Sequence, residues 1–195
     1  MLRKFFLIAA LSGAGCQSPT ADKTTEVLDK ETPTPISEDS TKRVPALQVI
    51  YAKALQLAVQ GDPTTLLLCD SLLTNPGPGA GAEPYYYKGI YYGTTGDLSK
   101  AISFFDKTIR SDYSFYEAYI EKASLLIEAK QFEAALKELE LLRTLSPRYA
   151  PVHYWLGKWA ELQGKKQMAT EHYQLALSLD SSITEAQEAL KRLKK

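Results

Sequence analysis

The stretch YEAYIEKASLLIEAKQFEAALKELELLRTLSPRY, residues 116–149, reads as two amphipathic helices joined by a tight turn. Its apolar residues recur every three or four positions, the period of one helical face. The same unit recurs along the chain. Sliding the sequence against itself aligns the small residues Ala54, Gly89, Ala123 and Gly157 at intervals of 35, 34 and 34, and the turn positions Gly61, Gly96, Lys130 and Gly164 keep that spacing. A two-helix unit of this period predicts an all-α solenoid, in which each repeat buries its apolar face on its neighbours.

Outward from that unit, further repeats are expected at about 46–80, 82–115 and 150–183, within one domain covering 45–195. The first opens after Pro45, with Leu47, Ile50, Ala54, Leu57 and Ala58 on one helical face. Gly61 ends that helix, and Asp62 with Pro63 makes a favourable start for the next. Its second helix, TTLLLCDSLLT, is the least regular and runs into NPGPGAGAEP, where Pro and Gly stop a helix. Cys69 inside it is expected to be a buried small hydrophobe with no reactive role. In the second repeat the break falls at Gly96, with Asp97 as cap. The end of the chain, SITEAQEALKRLKK, predicts a capping helix over 182–194, started by a Ser182–Glu185 capping box and placing Ala186, Leu190 and Leu193 on one face. The basic run Lys191–Lys195 suits a helix C-terminus and otherwise reads as a partner-binding tail.

The pattern of small and large residues resembles the tetratricopeptide repeat. In the second unit the matching residues are Tyr85, Gly89, Tyr92, Ala101, Phe105 and Thr108; in the third Tyr119, Ala123, Leu126, Ala135, Leu139 and Leu142, closed by Pro147; in the fourth Leu156, Gly157, Ala160, Ala169, Tyr173 and Ala176. The first unit keeps Ile50, Ala54 and Leu57 but has Leu66 and Asp70 where Ala and a ring belong. The resemblance implies a right-handed α-solenoid whose first helices line a concave groove for an extended peptide or a partner helix. By register, it places Tyr51, Leu55, Tyr86, Ile90, Ile120, Ile127, Tyr154, Lys158 and Glu161 in that groove. Three tyrosines, Tyr51, Tyr86 and Tyr154, then form a ladder that either recognises a partner or fills gaps between first helices. Trp155 and Trp159 are expected to pack or rim the groove, and Tyr87 with Tyr91 to form an exposed pair at its edge. Chaperone-binding members of this family clamp a terminal carboxylate with Lys, Arg and Asn. This chain has a single Asn, Asn75, in a turn, so recognition here is expected to be less charged and more aromatic.

The N-terminus, MLRKFFLIAALSGAGC, has the plan of an export signal: Arg3 and Lys4, an apolar run from Phe5 to Leu11, then small residues. It is too short to span a bilayer, which needs about twenty apolar residues. A cysteine directly after the small residues resembles the bacterial lipoprotein signal, although Gly13 stands where an aliphatic residue is preferred; the alternative is an ordinary secretory signal cut near Gly15. The resemblance implies a signal peptide over 1–15, lipid on Cys16, palmitate among its acyl chains, and an address in the bacterial envelope at the outer membrane. The polar stretch that follows, within 16–44, is poor in large apolar groups and predicts a disordered tether. Its 28 residues after Cys16 give a coil reach of roughly 30 Å.

Composition limits the chemistry. Lys plus Arg and Asp plus Glu both number 23, and loss of Arg3 and Lys4 with the leader leaves 21 against 23. No basic field for nucleic acid is expected. His153 and His172 are the only histidines and stand in no metal-ligand spacing, and PGPGAGAEP lacks the Lys and Ser/Thr of a phosphate loop. No cofactor, metal or enzymatic activity is expected. Glu117, Glu121, Glu133 and Lys137 read as solvated helix faces. What remains is a surface: a protein–protein scaffold for another envelope protein or, alternatively, a small-ligand or glycan-binding lipoprotein, since exposed tyrosines also stack on sugars.

Overall fold

The computed structural model describes residues 39–74 and 81–194, with side chains from Leu47 onward. The leader, Cys16, the tether up to residue 38 and Asn75 lie outside the described residues. Among those described, the chain is all helical: α1 (Asp39–Gln60), α2 (Thr64–Thr74), α3 (Glu83–Thr95), α4 (Leu98–Ser111), α5 (Tyr116–Glu128), α6 (Phe132–Leu145), α7 (Ala150–Leu162), α8 (Lys166–Leu179) and α9 (Thr184–Leu193). The chain divides into two units at Val49/Ile50, and the helical core belongs to the second. There α3 packs on α4, α5 on α6 and α7 on α8, each pair also meets the next, and the first helices α3, α5 and α7 touch in a row.

Two local devices make each pair. The first is the turn. Gly61, Gly96, Lys130 and Gly164 all take left-handed φ, at 68°, 88°, 58° and 71°. A two- or three-residue reversal between antiparallel helices requires this conformation, which glycine adopts without steric cost and other residues do not. Asp97 completes the second-repeat turn by accepting from Lys100 N at 3.1 Å, and Asp62 accepts from Thr64 N at 2.8 Å.

The second device is close approach. A Cβ added at Gly89 would lie 2.6 Å from Phe105, and one at Gly157 would lie 2.7 Å from Tyr173. The helix backbone is thus in contact with the ring facing it, sixteen residues on. The middle repeat meets the same demand differently: Ala123 stands at the glycine position and Leu139 at the ring position, both fully buried. A smaller residue on one helix is matched by a bulkier one on the other.

Cations tie neighbouring repeats together. Lys122 on α5 bonds Asp106 on α4 and Glu138 on α6, each at 2.7 Å, while its equivalent Lys88 on α3 pairs with Asp70 on α2. Burial pulls the Lys122 ammonium down, but these two hydrogen bonds outweigh it and hold its pKa above the ordinary value.

Four sequence expectations change. α1 begins at Asp39, ahead of the boundary expected after Pro45, so the last residues assigned to a disordered tether are helical. The capping box does not form, because Ser182 Oγ donates instead to Asp180 at 2.6 Å, leaving Ile183 as a cap without side-chain bonds. Asp112 makes the same local turn with Ser114; such side-chain turns compete with helix capping. Tyr87 is buried against Tyr51 and Tyr86 and forms no exposed pair with Tyr91. Glu121 is buried, at 5% exposure, where a solvated face was expected. Cys69 is the buried hydrophobe the sequence suggested, and burial pushes its thiol pKa up to about 11.

Two outcomes test this packing. Gly89→Ala should destabilise by about 1–3 kcal/mol through overpacking, and Gly89→Ala with Phe105→Leu, which copies the Ala123–Leu139 pair, should be less destabilised than the sum of the single changes by about 1 kcal/mol. Lys130→Gly should raise stability by about 0.5–1 kcal/mol, since it removes left-handed strain from a non-glycine residue. Urea melts of these four variants decide both points.

Candidate functional site

The first helices share a register of 34 or 35 residues, and α9 begins 34 residues after α7, so it occupies the place of a fifth first helix. Position by position, Tyr51, Tyr86, Ile120, Tyr154 and Glu188 are equivalent, as are Leu55, Ile90, Ser124, Lys158 and Arg192.

The structure distributes the expected groove residues unevenly. Ile90 and Ile120 are buried at 1% and 4% exposure and present almost nothing to a partner. Tyr51 is half-buried, its hydroxyl accepts from Gly81 N at 3.4 Å, and its ring lies 6.1 Å from Tyr87. Tyr86 packs on Phe115 at 4.8 Å, Phe105 at 5.8 Å and Tyr87 at 6.0 Å. Tyr154 is 7% exposed and packs on Trp155 and Tyr173. Trp155 and Trp159 are buried too, Trp159 donating to the Phe132 carbonyl at 2.9 Å. The tyrosine ladder therefore has its ring faces engaged by other rings, an arrangement that stabilises the helix row and leaves little open face for stacking a sugar.

The face is open toward its C-terminal end. Between α7 and α9 lies a cleft of about 330 Å³ lined by Tyr154, Lys158, Glu161, Leu162, Tyr173, Glu185, Glu188 and Arg192. Its lining mixes tyrosines, Leu162 and charged side chains. Arg192 bridges the two helices by donating from Nε to Glu161 Oε1 and from Nη2 to Glu161 Oε2, both at 3.0 Å, while the Tyr173 hydroxyl donates to Glu161 Oε2 at 2.7 Å. Burial raises the Glu161 pKa, yet the bonds from Arg192 and Tyr173 outweigh it and leave the carboxyl below its ordinary value. Lys158 lies 4.6 Å over the Trp155 ring, and burial pulls its ammonium down against the opposing pull of Glu128 and Glu161. Burial pushes the Tyr154 hydroxyl up to about 12, with the Glu185 carboxylate adding to it.

Charge is the feature that sequence reading missed. Burial drives the Tyr86 hydroxyl pKa well up, and the Glu121 and Glu117 carboxylates push it the same way. Tyr149 bonds Glu117 at 3.5 Å. Glu117 and Glu121 thus lie beside the tyrosines of the first-helix face. The available signal was the register itself: Glu83, Glu117 and Glu185 fall on one repeat position. Arg192, assigned from sequence to a terminal basic run, turns inward to Glu161. The histidines pack together, rings 5.8 Å apart, with His153 Nε2 2.8 Å from the Pro147 carbonyl. Among the described residues, no helix is long and apolar enough to cross a membrane.

No family model matches the chain. Over 96 residues, 49% of its length, the chain is 35% identical to anaphase-promoting complex subunit 3 of Schizosaccharomyces pombe, of which it spans only 14%. Among solved structures it is similar to MamA from Desulfovibrio magneticus RS-1, with a TM-score of 0.58 and 23% identity over 75% of this chain and 82% of that one. It is also similar to the first tetratricopeptide domain of Spaghetti (RPAP3) bound to the HSP90 peptide SRMEEVD, with a TM-score of 0.53 and 23% identity over 58% and 90% of the two chains. The fold is the all-α tetratricopeptide solenoid.

The Arg192–Glu161 bridge makes a pH-resolved expectation. A carboxyl held below its unfolded value of about 4.3 contributes stability that is fully present above that pH and is lost as pH falls through the lowered folded value. Arg192→Ala should therefore cost at most about 1 kcal/mol at pH 7, as exposed ion pairs do, and the deficit should shrink as the melt is repeated below about pH 4. A deficit that stays constant with pH would assign the effect to packing of the arginine stem.

Proposed function

We propose that this chain is a lipid-anchored scaffold of the bacterial envelope, held to the outer membrane through Cys16, whose first-helix face binds a segment of another envelope protein. The observation that carries this reading is the open cleft between α7 and α9, at the equivalent positions along the first-helix row. Supporting it, a domain of the same fold holds an HSP90 peptide in RPAP3. The leader pattern ending in Cys16 supports the anchor, and the polar tether after it would let the domain stand clear of the headgroups.

Two measurements test the halves of the reading separately. Metabolic palmitate labelling should mark the wild-type chain, and Cys16→Ser should abolish the label and release the chain from the membrane fraction. A photo-crosslinking residue at Leu162, in the cleft and 54% exposed, should capture a discrete partner in intact cells. The same residue at exposed Glu133, on α6, should not. Equal capture at both positions would remove the first-helix face from the account.

A further inference from the structure

We propose that the segment held on the first-helix face is basic: an extended peptide that lays a lysine or arginine side chain in the α7–α9 cleft, beside Glu185 and Glu188. This rests on the scaffold reading and adds the chemistry of its partner.

The argument is one of segregation. The chain as a whole is balanced, with 23 basic and 23 acidic residues. The face is not. Glu83, Glu117, Glu128, Glu161, Glu185 and Glu188 occupy face positions of the first-helix register, against Lys158, Arg192 and Lys195. Their location is visible in what they act on. Glu161, Glu185 and Glu188 line the cleft. Glu83 acts on the Tyr51 and Tyr87 hydroxyls, Glu117 on Tyr86 and Tyr149, and Glu128 on Lys158. Lys158 and Arg192 are already engaged, and Arg192 engages Glu161 in turn. Arg192 is held in a two-point bond by Glu161, and Lys158 rests on the Trp155 ring.

The cleft has the chemistry for a cation. The exposed Glu185 and Glu188 carboxylates line it together with the exposed Leu162 side chain. Carboxylates attract an ammonium or guanidinium, and an apolar neighbour covers the alkyl stem that carries the charge. An acidic segment such as SRMEEVD would meet like charge at Glu185 and Glu188, and like-charge juxtaposition is costly at an interface.

Fluorescence anisotropy on the detergent-solubilised full chain tests this with three labelled probes: a twelve-residue Lys/Ser peptide, an equal-length Glu/Ser peptide and SRMEEVD. The Lys/Ser peptide alone should bind, more weakly as salt rises. Glu185→Lys with Glu188→Lys, both exposed, should weaken it by about tenfold or more. Glu133→Lys with Glu171→Lys changes net charge equally on the second-helix face and should leave the affinity within about twofold, an effect of screened distant charge. Circular-dichroism melts confirm that both variants fold. Equal losses in the two variants, or equal binding of the acidic probes, would overturn the inference while leaving the scaffold reading standing. The scaffold reading itself falls on its own test, absence of selective crosslinking from Leu162.

Discussion

The structure depends on how closely two helices of a repeat approach at one point. Gly89 and Gly157 put bare backbone against Phe105 and Tyr173, where even a methyl group would stand 2.6–2.7 Å from the ring. Protein interiors tolerate no such overlap and little void, so the small position and the large one sixteen residues later are chosen together. The Ala123–Leu139 pair is the same solution with volume moved across the contact. Once this distance is set, the second helix fixes where the next first helix must lie, and the row of first helices follows.

That row has two roles along its length. In the middle it is closed: Ile90 and Ile120 are buried, and α5 is flanked on both sides by other first helices. At its end α9 takes the fifth place but is linked to α7 through Arg192 and Glu161, leaving the cleft. Regularity makes a scaffold, and the point where the regular packing stops makes a site. The repeat that reads most clearly in the sequence, 116–149, is the one with least to offer a partner, since Ser124 and Ile127 are buried along with Ile120.

The helices, the turns and the pairing were legible because each rests on a local rule with a fixed period. The turn residues aligned as Gly61, Gly96, Lys130 and Gly164, and all four take the left-handed conformation. Lys130 was found by spacing alone, since nothing in lysine announces a positive φ. The candidate site was less legible. Register placed Tyr154, Lys158 and Glu161 on the right face, and they line the cleft. It gave the same status to Ile90 and Ile120, because register assigns a direction and says nothing about whether a neighbouring helix covers it. Local competition was hidden in a similar way: Ser182 had the spacing of a capping box, but Asp180 lay nearer to its hydroxyl.

The sequence by itself determined the number of helix pairs in the described domain, their turns and the partners of its small residues, because a 34-residue period and 3.6-residue faces are properties of the chain. Only the tertiary structure decided which tyrosines face other rings, that Glu121 is buried, and that Arg192 reaches back 31 residues to Glu161. Burial and charge pairing depend on what arrives from distant parts of the chain, and the energy of a carboxylate changes with the dielectric and partners around it.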